Sequence, residues 1–272
     1  MDKMEKKLIA SQQEVPTILS TIRSMMFVYG DAEQPLECCE NFVLDLVKHQ
    51  VVQVANEAYE VALKDKSPEI RLKDLIYVMR HNLDFISRLL RYAQAAQRIA
   101  EVTREAEDEV NSAKNKKMEG AYFSMMNAIK TWDLDITVDT LELPDPYFDQ
   151  RQKRMANRVN EIGGQQYERF TDARKANFCN SSKKGARRVK DPFITWLGSP
   201  PLGRYGDFVL AFIARETVAS ITDDAASLRA QEPKGWFLDE GFDNALQMRH
   251  FEHALRRNFI FRRTGNYLFG AL

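Results

Sequence analysis

The sequence predicts an all-α protein in which a short, a long and a short helix follow one another twice. Only 12 of the 272 residues are glycine and 9 are proline, so helix-breaking residues are few. The segments 35–62 and 208–231 have no internal glycine or proline, and their apolar residues recur three and four positions apart. Shorter segments with the same spacing flank each of them.

The composition is that of an ordinary soluble protein, with 44% apolar and 29% charged residues. The cysteines, Cys38, Cys39 and Cys179, form no spaced framework, and this suits a reducing compartment. Residues 1–13 lack the apolar segment of a signal peptide, and no run of 18 apolar residues occurs. We therefore expect neither secretion nor a membrane span.

The charge is unevenly distributed although the net charge is zero. Residues 1–146 hold 18 Lys+Arg against 25 Asp+Glu, and the rest of the chain holds 21 against 14. A protein that wraps DNA unaided is normally basic overall, because its binding strength comes from neutralising phosphates. The charge instead favours two domains that have different neighbours.

The first helix series is predicted over residues 14–27, 35–62 and 72–80. Gly30 can adopt the left-handed conformation that ends a helix, and Asp31 and Pro35 then suit a loop and a new first turn. Most helices are far shorter than 28 residues, so the central helix is expected to be a spine that other elements cross. A further helix is predicted from Leu83 to about Asn115.

Residues 116–146 break the helical pattern and are predicted to be a linker. Apolar residues alternate there with acids before two prolines end the segment, which indicates an extended chain. The apolar members are Trp132, Leu134, Ile136 and Val138. This stripe could also dock onto a partner. The predicted domains are 14–115 and 147–272.

The second series repeats the first after helical segments at 147–162 and 165–178, which Gly163 and Gly164 separate. Ser181 or Ser182 could cap a helix that runs to Leu197, in which Pro192 implies a kink or a late start. A turn rich in glycine and proline then leads to Asp207, the predicted cap of the long helix 208–231. A short helix over residues 246–259 closes the series.

Several motifs resemble one family in the order in which they occur. They are "SMMFVYGDAEQPL", "LKDLIYVMRHN" and "RLLRYAQ" in the first half, then "QYERFTDARKANF", "WL", "ARETVASITDDA" and "ALRRNF" in the second. The family is that of suppressor-of-Ty-three (Spt3), the transcription initiation subunit of the SAGA coactivator. The resemblance covers about residues 14–94 and 150–272.

The resemblance implies two histone folds in one chain that form an intramolecular pair, similar to two paired TATA-binding-protein-associated factors of TFIID. It implies a nuclear, non-enzymatic coactivator subunit without cofactor or metal, which holds the TATA-binding protein for delivery to promoters among other histone-fold and scaffold subunits. Neither a small-molecule substrate nor a membrane is expected, and direct DNA contact should be weak. The signature residues of the fold are Gly30, Asp31, Pro35, Leu36 and Asp74.

One position departs from the family pattern. Histone folds commonly carry an arginine in the second loop that binds an aspartate at the start of the last helix. Here Asp74 is present, but Pro68 occupies the expected arginine position. Arg71 is the candidate substitute.

Arg215, Glu216 and Asp223 are the candidate partner-binding residues on the second long helix. Glu216 is a carboxylate in an otherwise apolar stretch, and acids there would complement the basic flanks of the TATA-binding protein. The alternative for Glu216 is a salt bridge to a cation of the same chain.

Other candidate sites favour structural roles. His250 and His253 stand three residues apart but lack a convincing third metal ligand. The basic stretch 182–190 is either a solvated helix or a nuclear-import or DNA contact. A DNA-compacting histone doublet and a helical enzyme stay open as alternative classes. The first conflicts with the zero net charge, and the second lacks a cluster of acid, base and nucleophile.

Overall fold

The computed structural model of the chain describes residues 11–108, 120–132, 144–179, 191–232 and 245–269. Helices dominate these ranges, where β-structure is limited to one isolated bridge, and the all-α prediction is confirmed. The helices are α1 Val15–Tyr29, α2 Glu37–Lys64, α3 Leu72–Met79, α4 Leu83–Asp108, α5 Ala121–Thr131, α6 Pro146–Glu161, α7 Gly164–Ala173, α8 Pro192–Leu197, α9 Gly206–Arg229, α10 Met248–Arg257 and α11 Phe259–Thr264.

The chain divides into two compact units. The first unit comprises residues 1–53, 145–199 and 210–271, and the second comprises residues 54–144, 200–209 and 272. Each unit therefore takes segments from both halves of the sequence. The domain boundaries at residues 115 and 147 stay a prediction.

In the first unit, Gly30 ends α1 with a conformation that side chains rarely adopt. Its φ is +125°, and its backbone N–H donates to the carbonyl of Met26. A Cβ atom at Gly30 would lie 2.6 Å from Cβ of Ala226 on α9. Glycine is therefore required here both by the backbone angle and by the close approach of α9.

The turn between α1 and α2, which we call the corner, also contains other signature residues. The Leu36 carbonyl accepts the backbone N–H groups of Cys39 and Glu40, at 2.9 and 3.0 Å, and so begins α2. The half-buried Pro35 directly precedes Leu36 in the chain. The turn thus closes one helix and opens the next within six residues, Asp31 to Leu36.

α6 and α7 also belong to the first unit. Asp145 caps α6, since its carboxylate accepts the backbone N–H of Phe148 at 2.9 Å, and Pro146 occupies the first turn. The ring of Phe170 on α7 packs edge-on against Phe27 of α1, with 5.7 Å between ring centroids. Met155 and Val159 of α6 pack against the hydrophobic cluster that contains these rings, so both helices are attached to the helix that leads into the corner.

In the second unit, the loop after α2 pairs with the loop before α9. The backbone N–H of Ile70 donates to the carbonyl of Pro201 at 2.9 Å, and Gly203 donates back to the carbonyl of Ile70 at 2.8 Å. Ile70 and Leu202 form a parallel bridge, and the Ile70 side chain is fully buried. Backbone hydrogen bonds therefore join a loop of the first helix series to a loop of the second.

α5 lies within the predicted linker, where no helix was expected. Its residues Met125, Ala128 and Ile129 are buried. After its end, the Trp132 indole N–H donates to the carbonyl of Lys73 at 2.7 Å, and its ring lies 4.4 Å from that of Tyr77. Trp132 is therefore part of the second unit, whereas the rest of the apolar stripe lies outside the described residues.

Arg71 binds the carboxylate of Asp74 in the second unit. Its Nε and Nη2 atoms donate to the two carboxylate oxygens at 3.0 and 3.1 Å, and Nη2 also donates to Asp65 at 2.7 Å. Asp74 is fully buried at the start of α3. The aspartate thus has an arginine partner although Pro68 stands at the expected position.

Three helix ends differ in detail from the sequence pattern. Pro192 lies in the first turn of α8, behind the cap residue Asp191, so it marks a late start and not a kink. Asp207 lies inside the first turn of α9, not before it. The closing helix breaks at Asn258, whose side chain accepts the backbone N–H of Phe261 at 2.8 Å and so begins α11.

Two further expectations concern the basic stretch and membrane spans. Ser181, Ser182 and the basic stretch 182–190 lie outside the described residues. Among the described helices, none is long and apolar enough to cross a membrane.

Candidate functional site

Several deeply buried charged residues of the first unit lie where α6 meets α9 and the corner after α1. Three arginines of α6, Arg151, Arg154 and Arg158, are spaced three and four residues apart, so they share one helix face. Their partners are the carboxylates of Glu216 and Asp223 on α9 and the backbone of Asp31. We call this set of six residues the arginine–carboxylate cluster.

Arg151 and Glu216 form a buried ion pair. Nη2 of Arg151 donates to both carboxylate oxygens of Glu216, at 3.0 and 2.8 Å, and Nη1 donates to the Ser220 hydroxyl at 3.3 Å. The exposed fraction is 2% for Arg151 and 4% for Glu216. Both groups are removed from water, so each charge depends on the other for compensation.

Aromatic rings surround the buried guanidinium. The ring centroids of Tyr29, Tyr147 and Phe148 lie 5.7, 5.9 and 5.5 Å from the Arg151 guanidinium carbon. Burial lowers the pKa of Arg151, but the charge and hydrogen bonds of Glu216, together with Tyr29 and Tyr147, outweigh burial and leave that pKa above its ordinary value. Arg151 is therefore a permanent buried cation.

The next two carboxylates of α9 are also bound within the chain. Arg154 Nε donates to the buried Asp223 at 2.9 Å, and a second nitrogen of the same guanidinium donates to its other oxygen. Asp224 accepts hydrogen bonds from the hydroxyls of Tyr147, at 3.0 Å, and Tyr267. Burial raises the pKa of Asp224 in spite of these two bonds.

Asp31 joins the corner to the start of α10. One carboxylate oxygen accepts the backbone N–H groups of Leu246 and Ala32, each at 2.7 Å. The other oxygen is buried and has no hydrogen-bond partner among the described residues. Arg158 donates from Nη2 to the Asp31 carbonyl, so α6 also contacts the corner directly.

We expect the Asp31→Asn variant to have a higher free energy of unfolding than the parent, and we expect this difference to grow as the pH increases. Burial raises the pKa of Asp31 from 3.8 to about 6. The folded protein thus holds a proton that the unfolded chain releases, and stability falls as the pH rises through this window. Asparagine keeps the acceptor for Leu246 without the charge, so the advantage of the variant over the parent should grow by about 2 kcal/mol between pH 4.5 and pH 7.5.

Urea unfolding of parent and variant at both pH values measures this gain. Asp172→Asn removes the same charge from a side chain that is 76% exposed and serves as the matched control. A stability difference for Asp31→Asn that stays constant with pH would show that Asp31 titrates alike in the folded and unfolded chain.

The predicted partner-binding residues occupy different environments. Glu216 and Asp223 are 4% and 3% exposed and bind arginines of α6, whereas Arg215 is half-buried. The salt bridge that the sequence left open for Glu216 is therefore present in the structure. Partner binding by the three residues stays a prediction.

Sequence reasoning missed the arginines of α6. Their spacing was a usable signal, since it puts three cations on one face, and Glu216 and Asp223 are seven residues apart on one face of α9. Two such faces of opposite charge indicate that the helices meet. In isolation, however, each pattern looks like a solvated helix surface.

His250 has a structural role in the first unit. Its Nδ1 accepts the backbone N–H of Gln247 at 2.9 Å at the start of α10, and its Nε2 lies 3.1 Å from a carboxylate oxygen of Glu232. Burial lowers the pKa of His250 although Glu232 opposes this shift. Within the described residues, no group of three histidine, cysteine or carboxylate side chains could hold a metal ion.

Comparison with known proteins identifies similar chains. Residues 18–108 match the model of the family described as the 18-kDa subunit of transcription initiation factor IID. The SAGA complex subunit Spt3 of Schizosaccharomyces pombe is 26% identical over 281 residues, with 87% of each chain covered. The Drosophila melanogaster subunit Spt3 is 27% identical over 219 residues, which cover 76% of this chain and 52% of the relative.

The SAGA complex subunit SPT3 of Saccharomyces cerevisiae is 25% identical over 256 residues, which cover 78% of this chain and 73% of the relative. These relatives carry the name of the family that the sequence motifs resemble. The resemblance to the Spt3 family is thereby confirmed over most of the chain, and residues 18–108 are similar to the histone-fold family of the TFIID 18-kDa subunit.

Proposed function

We propose that this chain is a non-enzymatic transcription coactivator subunit of a SAGA-type complex and that it acts in the nucleus. The observation that carries this proposal is its similarity to three Spt3 subunits of SAGA complexes over 76% to 87% of its length. The histone-fold domain supports it, since such a domain buries its apolar face against another protein surface. Its biochemical role is assembly, and its partners are other histone-fold and scaffold subunits.

We further propose that the two helix series form two histone folds that pair within the chain. Three contacts support this pairing. They are the Ile70–Leu202 bridge, the close approach of Gly30 to Ala226, and the rings of Phe42 and Phe251, whose centroids are 5.8 Å apart. Each contact joins a residue of the first series to a residue of the second, and a covalent linker keeps the two at high effective concentration.

The finer part of the proposal is that the chain holds the TATA-binding protein and helps to deliver it to promoters. Glu216 and Asp223 bind arginines of α6, so we propose that they act on this partner indirectly, by fixing α6 on α9. Arg215 is then the member of the predicted set that could contact the partner itself.

Purification of the tagged full-length chain from its own cells tests these proposals. We expect the subunits of a SAGA-type complex to co-purify with it, together with the TATA-binding protein. Lysine crosslinking of the same material should link residues 11–108 to residues 144–269 within one chain. The partner subunits and the TATA-binding protein are scored separately, because the complex can form even if the delivery role is wrong.

A chain recovered alone, with DNA binding that weakens steeply as salt increases, would instead support the free-standing histone doublet. The excess of Lys+Arg in residues 147–272, 21 against 14 Asp+Glu, favours this alternative. The zero net charge of the whole chain opposes it.

A further inference from the structure

The corner between α10 and α11 combines exposed arginines with exposed apolar side chains. Phe259 and Ile260 are 64% and 38% exposed. The arginines around them, all exposed, are Arg256, Arg257, Arg262 and Arg263. We call these six residues the basic–apolar corner. Large apolar side chains that stay exposed among charges are typical of an interaction site.

The charge of this corner is largely uncompensated within the described part of the chain. Arg256 pairs with Glu252 at 3.2 Å, but both side chains are at least half exposed, so the pair is weak. Among the described residues, no carboxylate lies within ion-pair distance of Arg257, Arg262 or Arg263. The Arg262 guanidinium lies 5.9 Å from the Phe259 ring centroid, so cation and aromatic ring are presented together.

A recess of about 230 Å³ adjoins the corner at Arg257. It lies between α9 and α10, and both apolar and polar side chains line it. Besides Arg257 they are Asp224, Ser227, Leu228, Gln231, Ala254 and Asn258. The recess is large enough to take one side chain of a binding partner beside the arginines.

We propose that the basic–apolar corner binds an acidic protein segment that carries at least one large apolar side chain. The arginines form charge-assisted hydrogen bonds with its carboxylates. Phe259 and Ile260 contact its apolar side chains, and the recess accepts one of them. A test of this interaction needs neither the TATA-binding protein nor the SAGA-type assembly.

Two observations favour a protein segment over nucleic acid. The aliphatic side chain of Ile260 cannot stack on a base in the way that an aromatic ring does, and a duplex backbone offers it no apolar contact. The whole chain has no net charge, whereas phosphate binding draws on a large excess of cations. An acidic segment with apolar side chains matches both components of the corner.

Fluorescence anisotropy with the full-length chain tests the proposal. The probe is a labelled synthetic peptide that alternates Asp and Glu with Phe and Leu, and a second peptide replaces each acid by its amide. We expect the acidic peptide to bind and the amide peptide to bind at least about tenfold more weakly. Arg262→Glu/Arg263→Glu should raise the Kd of the acidic peptide about tenfold or more, and Phe259→Ala should raise it severalfold.

Lys153→Glu/Lys175→Glu is the matched control, because it makes the same charge change at exposed residues of α6 and of the loop after α7. Its Kd should equal that of the parent. Arg262→Gln/Arg263→Gln removes the charge without reversing it and should give an intermediate loss. The proposal is overturned if the arginine variants bind like the parent, if the amide peptide binds equally well, or if a DNA duplex competes more strongly than the acidic peptide.

Discussion

Arg151→Met is expected to lower the free energy of unfolding by about 3–5 kcal/mol, because it leaves the Glu216 carboxylate buried without its partner. Glu216 is 4% exposed, so water cannot replace the lost guanidinium. Methionine retains much of the side-chain length among the rings of Tyr29, Tyr147 and Phe148, and the loss therefore reports mainly on charge. Urea unfolding at pH 7 measures it.

The double variant Arg151→Met/Glu216→Leu separates the ion pair from its surroundings. Replacing both partners of a buried pair by apolar groups is often neutral or stabilising, so the double variant should lie within about 1 kcal/mol of the parent. Arg169→Met is the exposed control. It removes a pair with Glu33 in which the arginine side chain is 61% exposed, and it should cost less than about 1 kcal/mol. Equal losses for Arg151→Met and Arg169→Met would refute the special role of the buried pair.

Gly30→Ala should also destabilise the protein strongly, by roughly 4 kcal/mol. Two separate costs add at this position. A non-glycine residue at φ +125° carries backbone strain of about 1–3 kcal/mol, and the new Cβ, 2.6 Å from Cβ of Ala226, adds an overpacking cost of about 1–3 kcal/mol. Neither atom is at the end of a flexible side chain, so relief requires α1 and α9 to move apart. Thermal or urea unfolding gives the loss.

Two further variants divide this cost. In an Ala226→Gly background the clash is absent. Gly30→Ala should therefore cost only the backbone strain there, and the overpacking cost should be recovered. Gly265→Ala has strain without a clash, since φ is +70° and a Cβ there would meet no atom within 4 Å, and it should cost about 1 kcal/mol. If Gly30→Ala is no more harmful than Gly265→Ala, the close approach of α9 is not a constraint on the corner.

The long helices could be predicted from the sequence because their apolar residues recur with the helical period and glycine and proline are absent from their interiors. The corner at Gly30 was predictable for a similar local reason, since a glycine followed by an acid and a proline suits only a few backbone conformations. α1, α2, α3 and α9 accordingly lie close to their expected positions.

The arginine–carboxylate cluster was not predicted, because its partners are 65 to 127 residues apart in the chain. Arg151 stands among "DQRQKRM", a composition typical of a solvated helix, and only the packing of α6 on α9 explains its burial. α5 was missed for another reason. Its apolar residues Met125, Ala128 and Ile129 form barely one helical period before the acidic segment begins, so the segment looked like part of a linker.

The Ile70–Leu202 bridge has a consequence for biosynthesis. Ile70 and Leu202 are 132 residues apart in the sequence. The second unit therefore cannot be completed until the chain has been synthesised past Gly203. At typical elongation rates of about 5–20 residues per second, Ile70 waits roughly 7 to 26 s for its pairing partner. During that time the Ile70 side chain, which is fully buried in the folded protein, is open to chaperones on the ribosome, and translation speed between these codons sets how long it stays open.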